Sequence, residues 1–240
     1  MPLTAVPFYI GIDLAWAEGN PSGVAVLDAE ARLVAYCYAE TVEAILDVVH
    51  AYPGCRVGVD APMIIPNATG HRPNERAFLK TFARYGLGVH AVNTRLFEKR
   101  FKSYAGFALY EGLKAEGIGF EEGTLFEVYP HATILALFNE GNVLRYKASA
   151  PRDARLKAMT KLQTALFELL TIPNSLKTPL GTLRGKALKA EEDFLDSLVC
   201  AYTLCYAHEK RCLTFGDAAC GVLLTPPPGE KGLLRRKEGP

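Results

Sequence analysis

The stretch FYIGIDLA, Phe8 to Ala15, is an apolar run broken by a single acid, Asp13. A short apolar run bounded by turn residues reads as a buried strand. The boundary is strong, because Glu18, Gly19, Asn20, Pro21, Ser22 and Gly23 follow in succession. Val24 to Leu27 and Arg32 to Tyr38 then read as two more strands, with Asp28 and Glu30 in the turn between them. Three strands on short connections make a meander. Thr41 caps a helix whose apolar face is Ala44, Ile45, Val48 and Val49, closed by Pro53 and Gly54. CRVGVDA, residues 55–61, is a fourth strand with Asp60 near its end. A helical crossover after a meander implies a mixed sheet, since parallel pairing needs a long connection.

Further along, 62–73 is irregular, 74–85 reads as a helix, and 86–101 as a loop with a short element carrying Arg95, Lys99 and Arg100. A helix is expected over 103–116, and a strand at TLFEVY, 124–129, which Pro130 ends. Helices are expected over 132–138, 153–170 and 191–208, with an irregular excursion over 172–188. The organisation expected is one α/β domain over 1–225, elaborated around 62–123, and a polar basic tail over 226–240 that includes Arg235, Arg236 and Lys237.

The 240 residues fit one such domain, and 49% hydrophobic with 22% charged residues suits a packed core rather than disorder. A net charge of +1 lowers the expectation of long-duplex binding, which uses many phosphate contacts, but leaves room for a local basic groove. The six cysteines show no Cys-x-x-Cys spacing and read as reduced, mostly buried thiols. The pattern of the chain gives no signal peptide or membrane span, and the expected location is cytoplasmic. There is no Walker motif and no dinucleotide fingerprint.

The acids carry the chemistry. Asp13, Asp60 and Glu127 each interrupt an apolar strand, where an unpaired carboxylate is costly. The last helix adds Glu192, Asp193 and Asp196, the two aspartates three apart on one face. Helix-start placement accounts for Glu192 and Asp193 but not for Asp196, deeper among Phe194, Leu195 and Leu198. A hard divalent cation, Mg²⁺ or Mn²⁺, accounts for the set, with Asp13 bridging, Asp60 on one side and Asp193 or Asp196 on the other. Two such ions about 3.5–4 Å apart activate a water and stabilise the leaving oxygen of a phosphodiester. Arg72 and Lys80 are candidates for a substrate phosphate, Glu75 for orienting Arg72 or a water, and His131 for an acid. Lys147, Arg152, Arg155 and Lys157 read as a solvated basic face.

Together, IGIDLAW, VGVDAP, FEVYPH and EEDFLDSLVCAY resemble the uncharacterised prokaryotic family called domain of unknown function 429, described as predicted nucleases of the ribonuclease H-like superfamily. The resemblance spans residue 10 to about residue 205. It implies a ribonuclease H-like fold: a five-stranded mixed sheet, three antiparallel strands then two parallel, flanked by helices. It implies metal ligation like that of Holliday-junction resolvases, at Asp13, Asp60, Asp193 and Asp196. The family pattern also holds Arg72, Glu75, Glu127, Pro130 and His131. Glu127 lies outside the resolvase pattern, and the region after Asp60 is longer than a minimal domain of this kind needs.

The expected function is therefore divalent-metal-dependent hydrolysis of phosphodiester bonds in nucleic acid. Two alternatives stand beside it: a small-molecule or nucleotide phosphohydrolase, and a non-catalytic binding or structural protein that retains the fold. Oligomeric state is open, a homodimer included.

Overall fold

The computed structural model describes residues 8–17, 19–101 and 103–229. Strands β1 (Phe8–Asp13), β2 (Ser22–Asp28) and β3 (Leu33–Ala39) pair antiparallel as a meander. Helix α1 (Val42–His50), capped by the Thr41 hydroxyl accepting from the Ala44 N–H, turns the chain so that β4 (Arg56–Val59) lies parallel to β1. After α2 (Pro73–Phe82), α3 (Thr94–Arg100) and α4 (Ala105–Ala115), strand β5 (Leu125–Val128) adds parallel to β4. Helices α5 (Pro130–Thr133, running into a π-helical turn over Ile134–Phe138), α6 (Arg152–Leu169) and α7 (Gly185–Glu209) follow.

The five-stranded expectation is corrected here. Strands β6 (Leu213–Phe215) and β7 (Leu223–Thr225) extend the sheet, which has seven strands in the order β3-β2-β1-β4-β5-β7-β6. Strand β7 is parallel to β5, and β6 antiparallel to β7. Three residues leave no period for a sequence reading to find. The last helix is also longer than expected, beginning at Gly185 rather than near Glu191. From residue 230 onward, the expected basic tail lies outside the described residues.

Alternation along the strands builds two cores. Ile10, Ile12, Val24, Val26, Val57, Val59 and Leu125 face α1 and α4, meeting Ile45, Val49, Leu109 and Leu113. Tyr9, Ala25 and Leu27 face the other way, onto Leu195, Leu198 and Val199 of α7 and Leu162 and Leu166 of α6. Asp13 shares parity with Tyr9, and Asp60 with Gly58, so both acids emerge on the α7 side. Glu127 shares parity with Leu125 and emerges on the opposite face.

Helix α7 lies on the sheet through three glycines. A Cβ at Gly11 would fall 2.9 Å from the Ala201 Cα and closer still to the Ser197 carbonyl and the Ala201 N–H. At Gly23 it would fall 2.7 Å from the Asp193 carbonyl oxygen, and at Gly58 3.3 Å from that of Cys200. The absent side chains let the helix backbone approach more closely than any other residue allows. The region after Asp60 places α4 on the sheet beside α1, and sets α2 and α3 near the carboxyl ends of β5 and β1 through Arg72–Glu127 and Trp16–Phe97 contacts. No helix among the described residues is long and apolar enough to cross a membrane.

Candidate metal centre

Asp13 ends β1, Asp60 follows the last residue of β4, and Asp196 lies midway along α7. The β1 and β4 strands run parallel, so their carboxyl ends coincide, where ligand sites of α/β sheets collect. The Asp60 N–H donates to the Ile12 carbonyl at 2.8 Å, locking the two strand ends in register. The glycine strip brings α7 down onto them. One carboxylate oxygen from each of Asp13, Asp60 and Asp196 then lies within 4.8 Å of the other two.

Like charges at this spacing oppose ionisation. Burial pushes Asp13 well above the usual carboxylate range, the Asp196 charge adds to that, and Lys147 opposes it. Burial lifts Asp60 to about 7, with Asp196 raising it further and Lys147 and Lys189 pulling it back. Both residues still touch solvent, whereas Asp196 has none of its surface exposed.

Asp196 is held from two sides. The Tyr146 hydroxyl donates to Oδ1 at 2.6 Å, and the Lys147 ammonium pairs with Oδ2. Lys147 also reaches Glu192 at 3.3 Å, and Arg155 reaches Glu192 at 2.7 Å. These two cations were expected on a solvated face. Instead the segment after the π-helical turn tucks Lys147 among the acids, where Asp196 and its neighbours keep it charged against the cost of burial. Neither Asp13 nor Asp60 forms an ion pair among the described residues.

Asp193, the fourth expected ligand, is not among the three whose oxygens converge. Because α7 begins at Gly185, Asp193 is not at the helix start, and Lys189 one turn earlier pairs with it. Its carboxyl neighbours that of Asp13 and favours protonation there. Counted together, Asp13, Asp60, Glu192, Asp193 and Asp196 share Lys147, Lys189 and Arg155, so two negative charges are left over when all are ionised. A three-carboxylate donor set with two uncompensated charges fits a hard divalent cation.

The remaining candidates lie elsewhere. Glu127 accepts from Arg72 Nη1 and Nη2, both at 2.8 Å, and from the Met63 N–H at 2.7 Å. Glu75 accepts from Arg72 Nε at 2.8 Å and from its backbone N–H at 2.9 Å, closing the start of α2. All three are buried, and Arg72 Nε, Nη1 and Nη2 are engaged by the two glutamates. Burial raises the Glu127 pKa and Arg72 counters it. A cleft of about 110 Å³ beside Asp60 is lined by Trp16, Arg72, Glu127 and Tyr129, so this bridge forms part of its wall. Lys80 is exposed on α2. His131 packs between the rings of Tyr129 and Tyr146, its Nδ1 buried without a partner among the described residues, and burial lowers its pKa to about 4. It is one ring removed from Asp196, through Tyr146.

Neither the curated proteins nor the solved structures contain a match to this chain. A family model described as protein of unknown function (DUF429) matches residues 11–219, a span that includes Asp13, Asp60 and Asp196, and the chain belongs to that family.

Proposed function

We propose that this chain hydrolyses phosphodiester bonds of nucleic acid at a divalent cation, Mg²⁺ or Mn²⁺, held by Asp13, Asp60 and Asp196. The observation that carries this reading is the meeting of three carboxylates from β1, β4 and α7, two of them without a cationic partner among the described residues. Such a cation, when bound, lowers the pKa of a coordinated water and neutralises charge on the phosphate oxygens. Each aspartate supplies an oxygen. Tyr146 and Lys147 fix the Asp196 rotamer, and Lys189 holds Asp193 beside Asp13. The ribonuclease H-like assignment rests on the same features: a three-strand meander, two parallel strands, and acids on the first strand, the fourth strand and the final helix.

The test is a panel of single-stranded, duplex and branched nucleic acids, with nucleoside triphosphates as a further arm, in Mg²⁺ or Mn²⁺. Cleavage of a polymer that disappears in Asp13→Asn and Asp60→Asn proteins of unchanged circular dichroism supports the reading. Cleavage retained by those variants refutes it, and hydrolysis of nucleotides alone replaces it with a small-molecule phosphohydrolase. An inert wild-type chain leaves the binding-protein alternative in its place.

A further inference from the structure

We propose that the aromatic wall beside the three aspartates binds an unpaired nucleic-acid strand by stacking its bases. This rests on the reading above for its place next to the scissile phosphate, but not for the binding itself.

Trp16 lies three residues beyond Asp13 and lines the same cleft as Asp60. Its ring meets Phe97 at 5.6 Å, Tyr104 at 5.9 Å and Phe101 at 6.1 Å. Tyr104 in turn meets Phe107 at 5.1 Å, edge to face. The Tyr104 hydroxyl donates to the Pro62 carbonyl at 2.9 Å, which ties the wall to the strand end that carries Asp60. Phe97 and Tyr104 are buried supports, whereas Trp16 and Phe101 are half-buried and Phe107 is 45% exposed. An open cleft of about 430 Å³ runs over Phe97, Phe101, Tyr104 and Phe107, a volume within the range of ~300–1,000 Å³ common for ligand sites.

An apolar cleft alone accepts many occupants, and charge narrows the choice. Helix α3 supplies Phe97 to the wall and also carries Arg95, Lys99 and Arg100, all exposed, none in an ion pair among the described residues. Its one acid, Glu98, lines the cleft; Arg95, Lys99 and Arg100 lie outside that lining and leave the helix net positive. An aromatic cleft beside a net-positive helix suits a single strand: bases stack in the cleft, and the backbone follows the cations of α3. A duplex hides its base faces and has no use for such a wall. The acids beside Trp16 repel a bare phosphate chain, so without a cation the backbone runs along α3 while the bases reach the wall.

Trp16 is the chain's one tryptophan, so its fluorescence reports stacking directly. The probe is an oligothymidylate of roughly 12 nucleotides, within the length a single-strand site covers, with an oligouridylate of equal length as a parallel arm. Binding is measured in EDTA on the wild-type and the Asp13→Asn chain, where no cleavage contributes. Quenching of Trp16 by either oligonucleotide is expected. Phe107→Ala is expected to weaken binding about tenfold, the loss typical of one stacked base. Replacing Arg95, Lys99 and Arg100 together by alanine is expected to lower the salt slope by about 2.

The proposal is overturned if neither oligonucleotide quenches Trp16, if a blunt duplex of the same length binds as tightly, or if Phe107→Ala binds like wild type. It is also overturned if Phe107→Ala dissolves a dimer while leaving oligonucleotide affinity unchanged, because the wall is then a self-association face. Binding without any metal-dependent cleavage refutes the proposed function and leaves this inference standing. Cleavage without quenching does the reverse.

Discussion

Replacing Gly11 by alanine tests whether the glycine strip sets the geometry of the acids. The added methyl would sit 2.9 Å from the Ala201 Cα, with the Ser197 carbonyl and Ala201 N–H closer still. Carbon atoms separate to about 3.5–4.0 Å at rest, so α7 must retreat by about 1 Å. The obstacles are backbone, which cannot rotate away as a side-chain end can. Overpacking costs about 1–3 kcal/mol, and rigid neighbours place Gly11→Ala near the upper end, about 3 kcal/mol. For a chain of this size each kcal/mol moves the Tm by about 2–4 °C, so a fall of about 6–12 °C is expected. Asp196 rides on α7, and a shift of about 1 Å exceeds the ~0.5 Å tolerance of a preorganised site. Wild type in Mn²⁺ at about 100 times its Kd gains ~2.7 kcal/mol, and Gly11→Ala is expected to lose most of that gain. The assay is thermal melting in EDTA and in Mn²⁺. Gly181→Ala is the control, because nothing lies within 4 Å of its Cβ position and its φ is ordinary. A Gly11→Ala chain that melts like the control and keeps its Mn²⁺ shift refutes the reasoning.

Three further outcomes are expected. Asp60, lifted to about 7 in the folded chain, contributes stability that is full below its unfolded pKa of ~3.9 and is lost as pH rises through the folded value. Metal-free Asp60→Asn is therefore expected to show a flatter stability profile than wild type between those two values and to be the more stable above them, by at most ~4 kcal/mol; urea melts in which the two profiles run parallel defeat this. Arg72→Met strands Glu127 in the interior at a cost of about 3–5 kcal/mol, and adding Glu127→Leu is expected to recover most of it; equal stability of single and double variants in a denaturation cycle speaks against the buried bridge. Lys147→Met removes the ammonium from Asp196, so it is expected to destabilise the chain in EDTA yet enlarge its Mn²⁺-induced Tm shift; a smaller shift than wild type shows that Lys147 belongs to the bound state.

Much of this fold is legible in the sequence because the first four strands are apolar runs between clear turns and one helix separates the last pair. The two C-terminal strands are not, since LTF and LLT are too short for any alternation and owe their conformation to pairing with β5 and with each other. Asp13, Asp60 and Asp196 stand out because each sits where burial has to be offset. Glu127 stands out for the same reason, yet Arg72 offsets it on the other face of the sheet; its parity with Leu125 is the signal that separates it from Asp60. Asp193 has its partner visible one turn earlier in Lys189. Lys147 has no such mark: RYKASA shows no period, and only the packing of the chain after the π-helical turn delivers the ammonium to Asp196.

The close seating of α7 on Gly11, Gly23 and Gly58 has a temporal consequence. Asp13 and Asp60 are drawn from the first quarter of the chain, while Asp196 arrives near its end. During synthesis the early strands emerge with bare glycines and two acids facing no partner. Any capacity to capture a cation is thus the last property the nascent polypeptide acquires, and a product that stops short of α7 lacks it altogether.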